Sequence, residues 1–140
     1  DEVAGTAIDT FSYGVERGEG LFFPSKIGNL FGEDMYPFHS APYYRAWHNM
    51  KSLIDHGIDP LVVLIDRAHF KGMDFFASLR LGAYGGMELK DRIDRGGRGF
   101  ANENLRDHKY RVLEELITQY NIEGVELDFA AAPGGRPLYF

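Results

Sequence analysis

Gly124-Val125-Glu126-Leu127-Asp128-Phe129 alternates strictly between apolar and acidic side chains after its glycine. In a strand, Val125, Leu127 and Phe129 fall on one face, and Glu126 and Asp128 on the other. Two carboxylates on one face of a buried strand are costly unless they are paired or used in chemistry. The stretch follows an amphipathic segment ending at Tyr120, so it marks a helix-to-strand step in an α/β chain.

Working back from that step, Leu105, Val112, Leu113, Leu116, Ile117 and Tyr120 predict a helix over 102–120, with Asn102 as its N-cap. Before it, Gly82 to Asn102 reads as a long loop, in which Met87 to Asp94 can form a short helical turn. Met73 to Leu81 predicts a second strand: Phe75, Ala77, Leu79 and Leu81 share one face, Phe76, Ser78 and Arg80 the other. Upstream, Asp59-Pro60 supplies an N-cap followed by Pro at the first helical position, and Gly72 sits at the C-cap, which predicts a helix over 60–71. Tyr44, Trp47, Met50 and Ile54 mark another over 43–56.

Ala4 to Tyr13 reads as the first strand. Asp9 lies inside it and shares a face with Phe11 and Tyr13, and one step of register would reverse every side chain. Gly14 to Pro42 is a long segment rich in glycine, proline and aromatics, including Phe22, Phe23, Phe31, Tyr36 and Phe38. Loops of this length are functional or disordered, and disordered ones are poor in aromatics. This one is therefore expected to fold over the mouth of the sheet. Its rings either suit sugar faces or pack the loop onto the scaffold.

Strands alternating with helices imply a parallel sheet. The fold expected is α/β, a partial (β/α)8 TIM barrel with about three parallel strands and intervening helices. Three strands do not close a barrel, and hydrophobic edges are an aggregation liability. The single domain over 1–140 is therefore either a piece of a larger barrel or a small open α/β domain, and the exposed edges favour the piece. In such barrels, acids at the C-terminal strand ends face the active-site mouth, which makes Asp128 the leading working residue.

Composition closes off several classes. The 140 residues are 44% hydrophobic and 14% aromatic, a globular balance, with net charge -6. No basic stripe exists, so a nucleic-acid partner is not expected. No apolar run of about 18 residues exists, so no membrane span is expected. There is no cysteine, hence no disulfide, thiolate zinc site or cysteine nucleophile. The glycines around Gly85-Gly86 and Gly96-Gly97-Arg98-Gly99 match neither a P-loop nor a dinucleotide fingerprint. The five histidines show no zinc-binding spacing, and no Gly-x-Ser-x-Gly elbow is present. No cofactor and no metal are expected. His69 reads as a half-buried helix residue packing near Phe70.

The segment Ile117 to Phe129, ITQYNIEGVELDF, resembles the glycoside-hydrolase-like (β/α)8 barrel family. There a helix ending in RYDxDG runs into a strand reading hELDF, then a loop with Arg, Pro and an aromatic. Here that loop is Ala130 to Phe140, with Arg136, Pro137 and Tyr139. The segments Asp59 to Leu81 and Ser25 to Gly28 are also similar, so the resemblance covers most of the chain but only the N-terminal part of such a barrel. It implies carbohydrate chemistry, with Asp128 at the family's strand-end acid. Two positions depart from the pattern. Glu123 stands where Asp is usual, and Leu81-Gly82-Ala83-Tyr84 replaces an Asn-Asp cluster that follows the strand arginine, here Arg80. The second departure bears on catalysis more than on fold.

Glycoside cleavage needs an acid to protonate the leaving oxygen and a carboxylate as nucleophile or base. Asp128 is the candidate acid/base or nucleophile, and Glu126 its orienting or pKa-raising neighbour. Arg80, Asp9, Tyr13 and Arg136 are the candidates for binding a carbohydrate substrate. Alternatively, Glu126, Asp128 and Arg80 form a structural ion-pair network inside the barrel. Three functions follow: a glycoside hydrolase, a carbohydrate-binding barrel without turnover, or another barrel hydrolase or lyase using the same carboxylates.

Overall fold

The computed structural model describes residues 2, 3, 5–17, 20–81, 98–100, 102–128 and 138–139. Among the described residues, eleven elements follow in order: β1 (Thr10–Gly14), β2 (Glu16–Arg17), β3 (Gly20–Leu21), β4 (Asn29–Leu30), α1 (Ala41–Asp55), α2 (Pro60–Phe70), β5 (Asp74–Arg80), β6 (Arg98–Gly99), α3 (Glu103–Gln119), β7 (Gly124–Asp128) and β8 (Leu138–Tyr139). The protein is mixed α/β. Its main sheet has three parallel strands in the order β1-β5-β7.

The helices form where local chemistry places them. The Asp59 side chain accepts a hydrogen bond from the Leu61 amide at 2.8 Å, and Pro60 opens α2 with the φ a helix needs. Asn102 caps α3 by accepting from the Asn104 amide at 2.9 Å. Helix α1 begins two residues before the expected Tyr43, because Pro42 fits the first turn. Gly72 leaves α2 with φ 73°, the left-handed cap its position predicted.

Register fixes what each sheet face carries. Ser12 aligns with Phe76, Gly14 with Ser78, Ser78 with Glu126, and Arg80 with Asp128. These residues share one face. Phe11, Tyr13, Phe75, Ala77, Leu79, Val125 and Leu127 share the other. The second face meets the helices: Phe75, Ala77 and Leu79 of central β5 are fully buried against Leu61, Ile65 and Ala68 of α2 and Val112 and Leu116 of α3. Leu127, on edge strand β7, stays 42% exposed on that same side.

Two expectations about the first third of the chain are revised. The first strand starts at Thr10, not Ala4, with turns and bends before it. The long segment after Gly14 contains a second sheet, in which β3 pairs antiparallel with β2 and parallel with β4. It delivers Val15, Leu21, Phe23 and Phe31 to the interior. Most of its aromatics therefore pack the segment onto the scaffold. Phe31 meets Phe22 edge-on, and Phe38 packs on Trp47. The pairing of β6 with β8 was not legible from local sequence. Residues 82–97, with the helical turn expected there, lie outside the described residues, as does Phe129.

Candidate functional site

The sheet face turned away from the helices forms one wall of a cleft of about 720 Å³. Its lining is Ser12 and Gly14 from β1, Ser78 and Arg80 from β5, Glu126 and Asp128 from β7, and Glu16, Arg17 and Phe22 from the segment after β1. Strand alternation alone places the first six there. The helix-facing residues of the same strands claim the core, and the polar set is left on the open side.

The two acids of β7 point to different partners. Arg80 Nε donates to Asp128 Oδ2 at 2.7 Å, an ion pair between neighbouring strands in register. Glu126 instead reaches across the middle strand: Ser12 Oγ of β1 donates to its Oε2 at 2.6 Å, and Ser78 of β5 also bonds it. These hydroxyl bonds, Ser12 first, hold Glu126 below the ordinary carboxylate range, against desolvation and the nearby Asp128 charge, which push it up. Glu126 is thus kept ionised at neutral pH.

A third acid stands in the wall. Glu16 Oε2 accepts from Lys109 Nζ of α3 at 2.6 Å, with side chains 1% and 5% exposed. This buried pair ties β2 to α3. Beside it, Arg17 turns outward, stacks its guanidinium 4.3 Å above the Tyr43 ring centroid and hydrogen-bonds the Tyr43 hydroxyl through Nη2.

Of the residues expected from sequence, Asp128, Glu126 and Arg80 come together in this cleft. Asp9 and Tyr13 do not. Asp9 precedes β1 at the opposite end of the sheet, where its carbonyl accepts from the Asp74 amide at 2.8 Å and its carboxylate from Thr10. Tyr13 faces the helices, with its ring 6.3 Å from that of Phe75, and burial raises its phenol pKa. Neither side chain lines this cleft: the register that turns Ser12 into it turns Tyr13 away, and Asp9 lies before the strand at its other end. Arg136 lies outside the described residues. His69 contacts Glu123 at 3.0 Å, and Glu123 also accepts from the Phe75 amide at 2.7 Å. That cluster sits at the N-terminal end of β7, away from the cleft.

Ser12, Ser78, Glu16 and Arg17 are the lining residues that sequence reading missed, whereas Phe22 is one of the loop rings read as suiting a sugar face or packing the loop. Ser78 was placed on the correct face but given no role. Glu16 and Arg17 lie on a two-residue strand, too short to show a period. Lys109 offered the usable signal: it falls on the buried stripe of α3 with Leu105, Val112 and Leu116. A lysine on an apolar stripe calls for a buried acid.

Among the described residues no group of three His, Cys, Asp or Glu side chains is placed to hold a metal ion, and no helix is long and apolar enough to cross a membrane. No family model matches the chain, and no curated protein matches it by sequence.

Proposed function

We propose that the chain contributes three adjacent strands of a (β/α)8 barrel and that its cleft hydrolyses a glycosidic bond in an oligo- or polysaccharide. The observation that carries this reading is the convergence of Asp128, Glu126, Arg80, Ser12 and Ser78 on one open sheet face, beside the ring of Phe22. Hydrogen-bonding side chains next to one aromatic face suit the edges and faces of a sugar ring. Parallel strands in sequential order, with helices on one side and polar residues toward their C-terminal ends on the other, suit the barrel.

Asp128 serves as the carboxylate nucleophile or base, and Arg80 orients it. Glu126, held ionised by two serines, stabilises the positive charge that develops on the sugar ring, or accepts a hydrogen bond from a sugar hydroxyl. It is unsuited to protonate the leaving oxygen, a step that falls to an acid on another strand of the barrel, and as an ionised neighbour of Asp128 it keeps the expected pKa-raising role.

Asp128→Asn tests the reading. Sugar release from a panel of polysaccharides and aryl glycosides is expected to fall by about 10²–10⁴, with the thermal midpoint showing the protein still folded. Turnover unaffected by this change would remove Asp128 from its catalytic role, and no sugar release by the unmutated protein would remove the hydrolase reading. The low pKa of Glu126 favours one second reading, a carbohydrate-binding cleft without turnover. It predicts saccharide binding by the unmutated protein and no released sugar.

A further inference from the structure

Each acid of the cleft already has a partner. Asp128 is paired with Arg80, Glu126 is held by Ser12 and Ser78, and Glu16 is buried against Lys109. Arg17 differs. It lines the same cleft and is exposed, but its only hydrogen bond or ring contact among the described residues is to Tyr43, a neutral group, and it makes no ion pair there. A guanidinium carries five donors in a planar fork that matches two oxygens of an oxyanion. Tyr43 uses one donor and stacks on the plane, so the fork is oriented before any ligand arrives.

The support extends inward. The Tyr43 ring packs edge-on against Phe31, 6.0 Å between centroids, and Phe31 is buried. A cation fixed in this way loses little side-chain entropy on binding. Glu16 cannot neutralise it, because alternation along β2 turns Glu16 inward to Lys109 as it turns Arg17 out.

We infer that Arg17 is a specificity residue that selects saccharides bearing an anionic group, a carboxylate or a sulfate, and that Tyr43 positions it. This rests on the carbohydrate reading of the cleft and narrows it to acidic glycans.

The test is a glycan array holding neutral, uronate-bearing and sulfated glycans, probed with the unmutated protein, Arg17→Gln, Arg17→Lys and Tyr43→Phe. The unmutated protein is expected to favour charged glycans, and the uronate and sulfate arms show which oxyanion it takes. Arg17→Gln should lower the charged-to-neutral binding ratio roughly 10- to 100-fold. Arg17→Lys, which keeps the charge and loses the fork, should recover part of that ratio, and Tyr43→Phe should lose part of it. Thermal midpoints confirm that each variant is folded. Binding of glycans with no preference for charge, or a ratio that Arg17→Gln leaves in place, overturns the inference and spares the carbohydrate reading. Binding of no glycan at all overturns both.

Discussion

The two faces of the β1-β5-β7 sheet are built from the same strands by opposite rules. The helix side is a packed apolar layer in which Phe75, Ala77 and Leu79 are wholly excluded from water. The cleft side carries Ser12, Ser78, Arg80, Glu126 and Asp128, held by hydrogen bonds and the Arg80–Asp128 ion pair instead of packing. Burial of apolar surface stabilises at roughly 25 cal/mol per Å² and needs no particular angle. Exposed charged contacts contribute about 0–1 kcal/mol each but fix direction. Stability therefore resides on one face and the proposed chemistry on the other, and substitutions should separate the two.

The sharpest separation comes from Phe75→Ala set against Asp128→Asn. Phe75 contacts the rings of Phe11 and Tyr13 at 5.8 and 6.3 Å and sits in the buried cluster. Removing it should cost about 3–5 kcal/mol, from lost transfer energy plus the cavity left behind. Chemical denaturation checks this. Asp128→Asn should leave the denaturation midpoint nearly in place while removing sugar release. If both changes lowered stability alike, the division between faces would fail.

Lys109 and Glu16 cross that division, because a buried ion pair holds the cleft wall to α3. Lys109→Met leaves a carboxylate inside without its ammonium, which should cost about 3 kcal/mol. Adding Glu16→Leu removes the buried charge and should recover most of that loss. The double-mutant cycle therefore separates the cost of burying the charge without its ammonium from the worth of the pair. A double variant no more stable than Lys109→Met alone would mean the pair is needed for the wall's packing as well as its charge balance.

Legibility followed period. Val125 and Glu126 were assigned to opposite faces by alternation alone, and both lie where it put them. The stripes of α2 and α3 and the caps Asp59 and Asn102 were equally plain, except that Ile117, expected on the α3 stripe, is 60% exposed. The side taken by Tyr13 was not legible because β1 is amphipathic in an ambiguous way, and Asp9 falls outside the strand altogether. Phe11 and Tyr13 suit a core or a sugar-binding surface, and local sequence does not say which side the helices take. Only pairing with β5 decides it, by aligning Tyr13 with Ala77. Glu16, Arg17 and Phe22 lie where the chain has no period, so their convergence depends on long-range contacts such as Lys109 to Glu16. Whether the sheet belongs to a barrel is also a long-range property, which no strand declares by itself.

The smallest effect expected is a pH dependence that both ends of β7 share. Glu123, bonded by the Phe75 amide and then by His69, and Glu126, bonded by Ser12 and Ser78, both titrate below their ordinary value of 4.5 in the folded protein. The unfolded chain therefore binds protons first as pH falls. The stability these groups contribute is present above about pH 4.5 and is lost as pH drops through their lower folded values. Both lie near the surface, so solvent screening keeps the contribution small. Glu126→Gln and Glu123→Gln should each flatten the acid limb of a plot of denaturation midpoint against pH. Ser12→Ala should flatten it in the way Glu126→Gln does, since the serine bond is the main cause of the Glu126 shift. An acid limb that Ser12→Ala leaves as steep as before would mean that Glu126 is not anchored across the middle strand, and the cleft face would then lose the hydrogen bond that ties β7 to β1.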